Sequence, residues 1–320
     1  MAHDMAVART TGEGRSNLDK WGYTVHENFL SASELAELRE RLEEQAELER
    51  NAGVATLSGS GHAAGDRYVG APRAGERIGY QMVSHLVNKG RVFLDLVHKQ
   101  VIHDYAAHLF RGEPYNLATH NGIILHKGSS RQVLHTDQQA IPLTLDLPVM
   151  FTMMICLSDF ESDMGATLVA PGSHRFPSPR LDADPTGQMK EIGSELVPMT
   201  ATAGSALFWE SRTWHSQGGS TSDKARVSIG CAWAQHFIKP QDFFPAIVHD
   251  DVYETLTDAD KDVLGFRVVR EFGGAIGPRS PGDDRSNLNV RYPYIPELVK
   301  GGTKHAIPLG LTKTAESSPH

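Results

Sequence analysis

The hydrophobic positions of this chain follow two periods in succession. Leu35, Leu38 and Leu42 fall on one stripe with Glu and Arg elsewhere, and Ser31-x-x-Glu34 stands before them as a capping box, so the pattern predicts an amphipathic helix from Ala32 to Arg50. Val92, Phe93, Leu96, Val97, Val101 and Tyr105 recur at helical spacing and predict a second helix over Arg91 to Phe110. Trp21 to Val25 reads as a short strand ahead of both. From Asn116 the period becomes two, with strands expected at Leu117 to His126, Gln132 to Gln138, Met150 to Leu157, Thr167 to Ala170, Ser205 to Trp209 and Arg226 to Phe237. Short strands punctuated by Gly and Pro, as at Pro171-Gly172, suggest an antiparallel sandwich or barrel flanked by helices. Past Pro240 the pattern weakens. Val252 to Leu264 is a further helix candidate, whereas 273–287 and 301–320 are rich in Gly, Pro, Ser and charge.

The expected organisation is a flexible start over 1–17, one mainly β domain with N-terminal helices over 18–240, and a C-terminal extension over 241–320. That extension packs on the core or on a neighbouring subunit, and its end is disordered. With 22% charged and 40% hydrophobic residues the composition is that of an ordinary globular protein. A formal net charge of −8 and a pI near 6.0 make a nucleic-acid partner unexpected, since that calls for a basic stripe. Cys156 and Cys231, the only cysteines, sit inside apolar runs and read as buried thiols. With no signal-like start and no run of about 18 apolar residues, no membrane partner is expected. The expected location is cytoplasmic, as a monomer or homodimer. The Gly-rich stretch Ser58 to Gly65 lacks the Gly-Lys-Ser/Thr ending of a phosphate loop and reads as a loop near a site mouth.

Candidate chemistry centres on Leu134-His135-Thr136-Asp137-Gln138. On an extended strand His135 and Asp137 point to the same face and can present an imidazole nitrogen and a carboxylate oxygen to one metal ion. His215 is the candidate third ligand, and two His plus one carboxylate on one face of an octahedron is the set associated with non-haem Fe(II) oxygenases. Eleven residues after His215 comes Arg226, sharing a strand face with Ser228, Gly230, Ala232 and Ala234. That small-residue face has room for a dicarboxylate, and Arg supplies the planar fork to bind it. His98, His103 and His108 on the second helix have Asp95 and Asp104 one turn away, and surface ion pairs are the expected reading. His174 reads as a turn residue. One of His120 and Asn121 is expected to face the cavity as a substrate contact.

The run Ser84 to Gly90, the motif LHTDQQ (Leu134 to Gln139), the block DFESDMGATLVAPGSH (Asp159 to His174) and WHSQGG (Trp214 to Gly219) followed by Arg226 resemble the phytanoyl-CoA dioxygenase family. The resemblance covers roughly residues 18 to 240, in the family's order and spacing. It implies a double-stranded β-helix, a jelly-roll or cupin-like fold. It also implies Fe(II) and 2-oxoglutarate with O2, iron ligands His135, Asp137 and His215, and Arg226 on the far carboxylate of 2-oxoglutarate. Gln132 and Thr167 match positions that touch the cosubstrate in some members, and Ser228 lies on the face of Arg226.

The activity so implied is oxidation, most simply hydroxylation, of a C–H bond in a small metabolite or natural product, with release of succinate and CO2. Desaturation, cyclisation and endoperoxide formation need only another substrate pose. Halogenation is disfavoured, because Asp137 occupies the place where halogenases of this kind carry Gly or Ala. Competing readings are an acyl-CoA hydroxylase, for which Arg67, Arg73 and Arg77 are candidate phosphate contacts, and a non-redox metal-dependent hydrolase or binding protein on the same fold.

Overall fold

A computed structural model describes residues 5–61, 66–141, 145–176 and 195–266. The chain enters through β1 (Val7–Ala8), α1 (Thr11–Trp21), β2 (Tyr23–His26) and α2 (Ala32–Asn51). Three strands follow, β3 (Ala55–Ser58), β4 (Tyr68–Gly70) and β5 (Tyr80–Val83), and then the helices α3 (Arg91–Leu96) and α4 (Gln100–Leu109). The remaining strands are β6 (Tyr115–Leu125), β7 (Met150–Cys156), β8 (Thr167–Val169), β9 (Val197–Pro198), β10 (Ala206–Glu210), β11 (His215–Gln217) and β12 (Arg226–Gln235).

Nine strands form one sheet in the order β1-β2-β10-β7-β12-β6-β5-β3-β4, and three form a second in the order β11-β8-β9. Almost every pairing is antiparallel, the β1 to β2 pair being parallel. Side chains alternate across each strand, so the large sheet has two different faces. Its outer face is covered by the helices, through a core that includes Leu38, Leu42, Phe93, Tyr105, Phe110, Phe208, Ile229 and Trp233. Its inner face meets the small sheet across Val25, Met154, Cys156, Phe160, Val169, Leu207 and Trp209. This is the jelly roll with flanking helices, and the site lies between its two sheets.

Several elements differ from the sequence expectation. Residues 11–17, expected to be flexible, belong to α1, because Thr10 and Glu13 form a reciprocal capping box and Gly22 closes the helix in the left-handed region. The single helix expected over Arg91 to Phe110 is two. Lys99 is extended there, its ammonium held 2.6 Å from Glu34 while neighbouring His98 reaches Asp260 at 2.7 Å. The helical histidines therefore pair across the fold rather than one turn away: His108 meets Asp19 at 2.8 Å, and His103 meets the Tyr115 hydroxyl at 2.6 Å. No strand runs from Gln132 to Gln138. His135 makes one isolated bridge to His215, and a 3₁₀ turn begins at Asp137.

Both cysteines are free and buried. Phe244, Ile247, Val248, Leu256, Val263, Leu264 and Phe266 join the helix-side core, so the extension packs on the large sheet's helical layer up to residue 266. The disordered end expected beyond it lies outside the described residues, as do residues 62–65 of the Gly-rich loop. Among the described residues no helix is long and apolar enough to cross a membrane.

Candidate metal centre

Thr136 is extended (φ −117°, ψ 143°) and fully buried, so its side chain points into the protein while those of His135 and Asp137 point the other way. The same-face relation expected of a strand thus survives over three residues even though the strand does not. The bridge between His135 and His215 sets the two imidazoles side by side, 4.4 Å between centroids. Nε2 of His135 lies 3.8 Å, and Nε2 of His215 3.5 Å, from Oδ1 of Asp137. Among the described residues this is the one group of three or more His, Cys, Asp or Glu side chains whose donor atoms converge, all within 4.8 Å.

The hydrogen bonds around the cluster suit a metal. Nδ1 of His135 is 2.8 Å from the Val133 carbonyl, and Nδ1 of His215 is 2.9 Å from the Thr213 carbonyl. A carbonyl only accepts, so each Nδ1 carries the hydrogen, and in the neutral ring each Nε2 then presents a lone pair, the tautomer a metal-binding imidazole needs. Three donors at right angles and about 2.1 Å from one ion lie about 3 Å apart. The separations of the two Nε2 atoms from Oδ1 of Asp137 exceed that spacing by less than 1 Å. Oδ2 of Asp137 faces away from the histidines and accepts from Thr152 Oγ1 at 2.6 Å and Trp209 Nε1 at 3.2 Å.

The charges in the cluster support one another. Burial would raise the Asp137 carboxyl, but His215, His135 and the Thr152 hydroxyl outweigh it and hold the group well below the usual carboxylate range. Burial likewise opposes an imidazolium at His215, and Asp137 outweighs it and raises that group.

Arg226 sits on the inner face of β12, 1% exposed, its guanidinium 4.7 Å over the Phe160 ring and its NH1 donating to the Gly165 carbonyl. Its Nε has no hydrogen-bond partner, and no carboxylate pairs with it among the described residues. Burial pushes this guanidinium down to about 10, against only weak support from Cys156 and Tyr80. A buried cation in that state is a place for an anion to bind.

The other sequence candidates divide. Thr167 lies opposite Gln217 in the β8 to β11 pairing, hence on the same face as His215, and is buried. Gln132 is tied to β11, its backbone N–H donating to the Gln217 carbonyl and its Oε1 accepting from the Gln217 N–H at 3.4 Å. Ser228 shares the face of Arg226 but donates its hydroxyl to the Ile123 carbonyl at 3.1 Å, leaving only lone pairs, which do not suit a carboxylate ligand. Asn121 pairs with Gly230 and so faces inward, where its amide accepts from the His85 N–H and donates to Thr119. His120 pairs with Cys231 and points the other way, edge-on to Phe93 among the helices. It is therefore removed as a substrate contact. Thr152, Trp209 and Phe160 escaped the sequence reading, because each is one more inward position on an apolar strand or loop until pairing shows what it touches.

Residues 18–228 match the family model for phytanoyl-CoA dioxygenase. The chain belongs to that family. Among curated proteins, the dioxygenase FrzG of Cladobotryum sp is 26% identical over 197 residues, covering 58% of this chain and 63% of that protein. The dioxygenase ALT11 of Alternaria alternata is 27% identical over 194 residues, covering 57% and 61%. This phytanoyl-CoA dioxygenase family chain thus spans about three-fifths of the length of the curated relatives it matches. Among solved structures, the non-heme alpha ketoglutarate dependent epimerase SnoN from nogalamycin biosynthesis superposes with a TM-score of 0.56 at 22% identity, over 71% of this chain and 84% of that one. EctD from S. alaskensis with bound Fe gives 0.58 at 15%, over 75% and 82%. At such identities these two likenesses speak to the fold.

Proposed function

We propose that this chain is an Fe(II)- and 2-oxoglutarate-dependent oxygenase that oxidises, by default hydroxylates, a C–H bond of a small and partly apolar metabolite. The observation that carries this reading is the presence, between the two sheets, of three converging metal-type donors and a buried guanidinium with no carboxylate partner among the described residues. His135, Asp137 and His215 would hold the iron, and Arg226 would take the far carboxylate of 2-oxoglutarate with its planar fork. When bound, the iron supplies the redox chemistry that uses O2 to couple decarboxylation of 2-oxoglutarate, giving succinate and CO2, to oxidation of the substrate.

The protein's own part is placement. The Val133 and Thr213 carbonyls keep both imidazoles in the ligating tautomer. Phe160 covers the guanidinium and keeps water from competing for it. Thr119, Asn121 and Ile123 on β6, Met82 on β5 and Gly230 on β12 share the inner face and are only partly buried, which supports their forming the substrate surface. That surface is apolar and amide-like, without a cation. It favours a neutral small molecule over an acyl-CoA, and Arg73, one candidate for the phosphates, already stacks 3.9 Å over Tyr68 beside Glu76. The names of solved relatives include an epimerase and a carbocyclase, so one fold accommodates several outcomes and the substrate pose selects among them.

Purified protein supplied with Fe(II), 2-oxoglutarate and O2 is expected to release succinate, faster with the right member of a metabolite panel. His215→Ala and Arg226→Met are expected to stop it. A wild type that binds metal yet yields no succinate with any panel member would shift the reading to a non-redox metal protein.

A further inference from the structure

Thr152 and Trp209 face each other directly across the β7 to β10 pairing, and both point inward. Their donors converge on one atom, Oδ2 of Asp137, at 2.6 and 3.2 Å. A carboxylate oxygen has two lone pairs, and two donors fill them both. We propose that Thr152 and Trp209 form a clamp that restricts Asp137 to ligating through Oδ1 alone, and so preserves a metal position that a chelating carboxylate would take. This rests on the metal centre proposed above.

Three features support the clamp as a built device. The Trp209 ring also lies against the His215 imidazole, centroids 4.9 Å apart and tilted 48°, so one side chain braces two ligands. Trp209 is 3% exposed, and a buried indole N–H left without an acceptor would be costly, which ties the indole to Asp137. On the other side of Thr152 the β12 partner is Ala232, whose small side chain leaves the threonine free to turn toward the carboxylate. Thr152 and Trp209 are positioning residues, acting on the metal through Asp137.

The test uses Co(II) as the probe, because its visible absorption reports coordination number as well as occupancy. Thr152→Val keeps shape and removes the hydroxyl, Thr152→Ser restores it, and Trp209→Phe keeps a ring without the N–H. His215→Ala serves as the control for the centre, and circular dichroism establishes that each variant is folded. Thr152→Val is expected to weaken Co(II) binding by about tenfold or more, as loss of a group orienting a metal ligand does elsewhere. Its spectrum is expected to change in band intensity, further in the double variant with Trp209→Phe, and Thr152→Ser is expected to recover both readouts. Wild-type affinity and spectrum in the folded double variant, with binding lost in His215→Ala, would overturn the clamp while leaving the centre intact. Undiminished Co(II) binding in His215→Ala would overturn the centre and the clamp together.

Discussion

Replacing Arg226 by Met separates stability from function in a way that an ordinary core substitution does not. The guanidinium is 1% exposed, and burial, partly offset by Cys156 and Tyr80, depresses it from 12.5 to about 10. At about 1.4 kcal/mol per unit, that drop corresponds to roughly 3 kcal/mol by which the ligand-free fold disfavours the charge. Met recovers this but forfeits the hydrogen bond to the Gly165 carbonyl, worth about 1.5 kcal/mol when the donor is charged. The ligand-free variant is therefore expected to be as stable as the wild type, or about 1 kcal/mol more so, in urea unfolding at neutral pH. This agrees with the general finding that buried charges are replaceable by apolar side chains of similar size. Added 2-oxoglutarate, with Mn(II) in place of iron to prevent turnover, is expected to stabilise the wild type by about 2.7 kcal/mol at one hundred times its dissociation constant. The variant is expected to gain nothing. Destabilisation of ligand-free Arg226→Met by more than about 2 kcal/mol would show that the guanidinium is a structural group, and an undiminished gain from 2-oxoglutarate would place the anchor elsewhere.

His120 is buried with neither ring nitrogen hydrogen-bonded, and burial pushes it down to about 4. Because its folded value lies below the unfolded one, the unfolded chain binds more protons below pH 6.5; the stability His120 allows is complete above 6.5 and is lost progressively toward 4. Between pH 7.5 and 5 this amounts to about 2 kcal/mol, so His120→Leu is expected to flatten the pH dependence of the urea midpoint by that much, and an unchanged slope would contradict the burial argument. Asp260 is fully buried beneath Thr257, Arg91 and His98, and Asp260→Ala is expected to cost about 2 kcal/mol by removing the acceptor of Thr257 and His98 and leaving Arg91 only Asp95; a loss under about 1 kcal/mol in chemical unfolding would reduce it to a surface-type pair. Mass spectrometry of products made in excess chloride or bromide is expected to find no halogen from the wild type, since Asp137 as a ligand would fill the position a halide needs. Asp137→Gly is expected to be nearly inactive, and robust hydroxylation by it would show that Asp137 is dispensable for holding the metal.

How much of this site is legible without coordinates depends on how local each relation is. His135 and Asp137 share a face because one extended residue, Thr136, separates them, and that relation holds although no strand forms around it. Arg226 is legible for the same reason, since alternation along β12 sets it opposite the bulky face before any partner strand is known. Relations between elements are not local. The donors of Thr152 and Trp209 meet at Asp137 only through the register that sets β7 against β10. The helical histidines find carboxylates on other elements, His98 at Asp260 and His108 at Asp19, beyond the reach of any i, i+4 rule. The capping box of α1 was readable as Thr10-x-x-Glu13, but its short apolar stripe concealed it in a stretch that looked like a frayed end.

The choice between His120 and Asn121 shows the limit most sharply, because alternation along β6 says only that one of them faces in. The pairing with β12 decides it: Asn121 meets Gly230 and His120 meets Cys231, and the inward identity of Gly230 follows from Arg226 four residues earlier on the same strand. The register then shifts between Ala232 and Trp233, where β6 passes from Thr119 to Leu117 and leaves Ala118 over. Counting inward positions along β6 from Tyr115 across that irregularity would reverse the assignment. The strand that carries Arg226 therefore also determines which side of β6 faces inward, and an alteration that moved the irregularity to the other side of residue 120 would exchange an amide for an imidazole on that inner face.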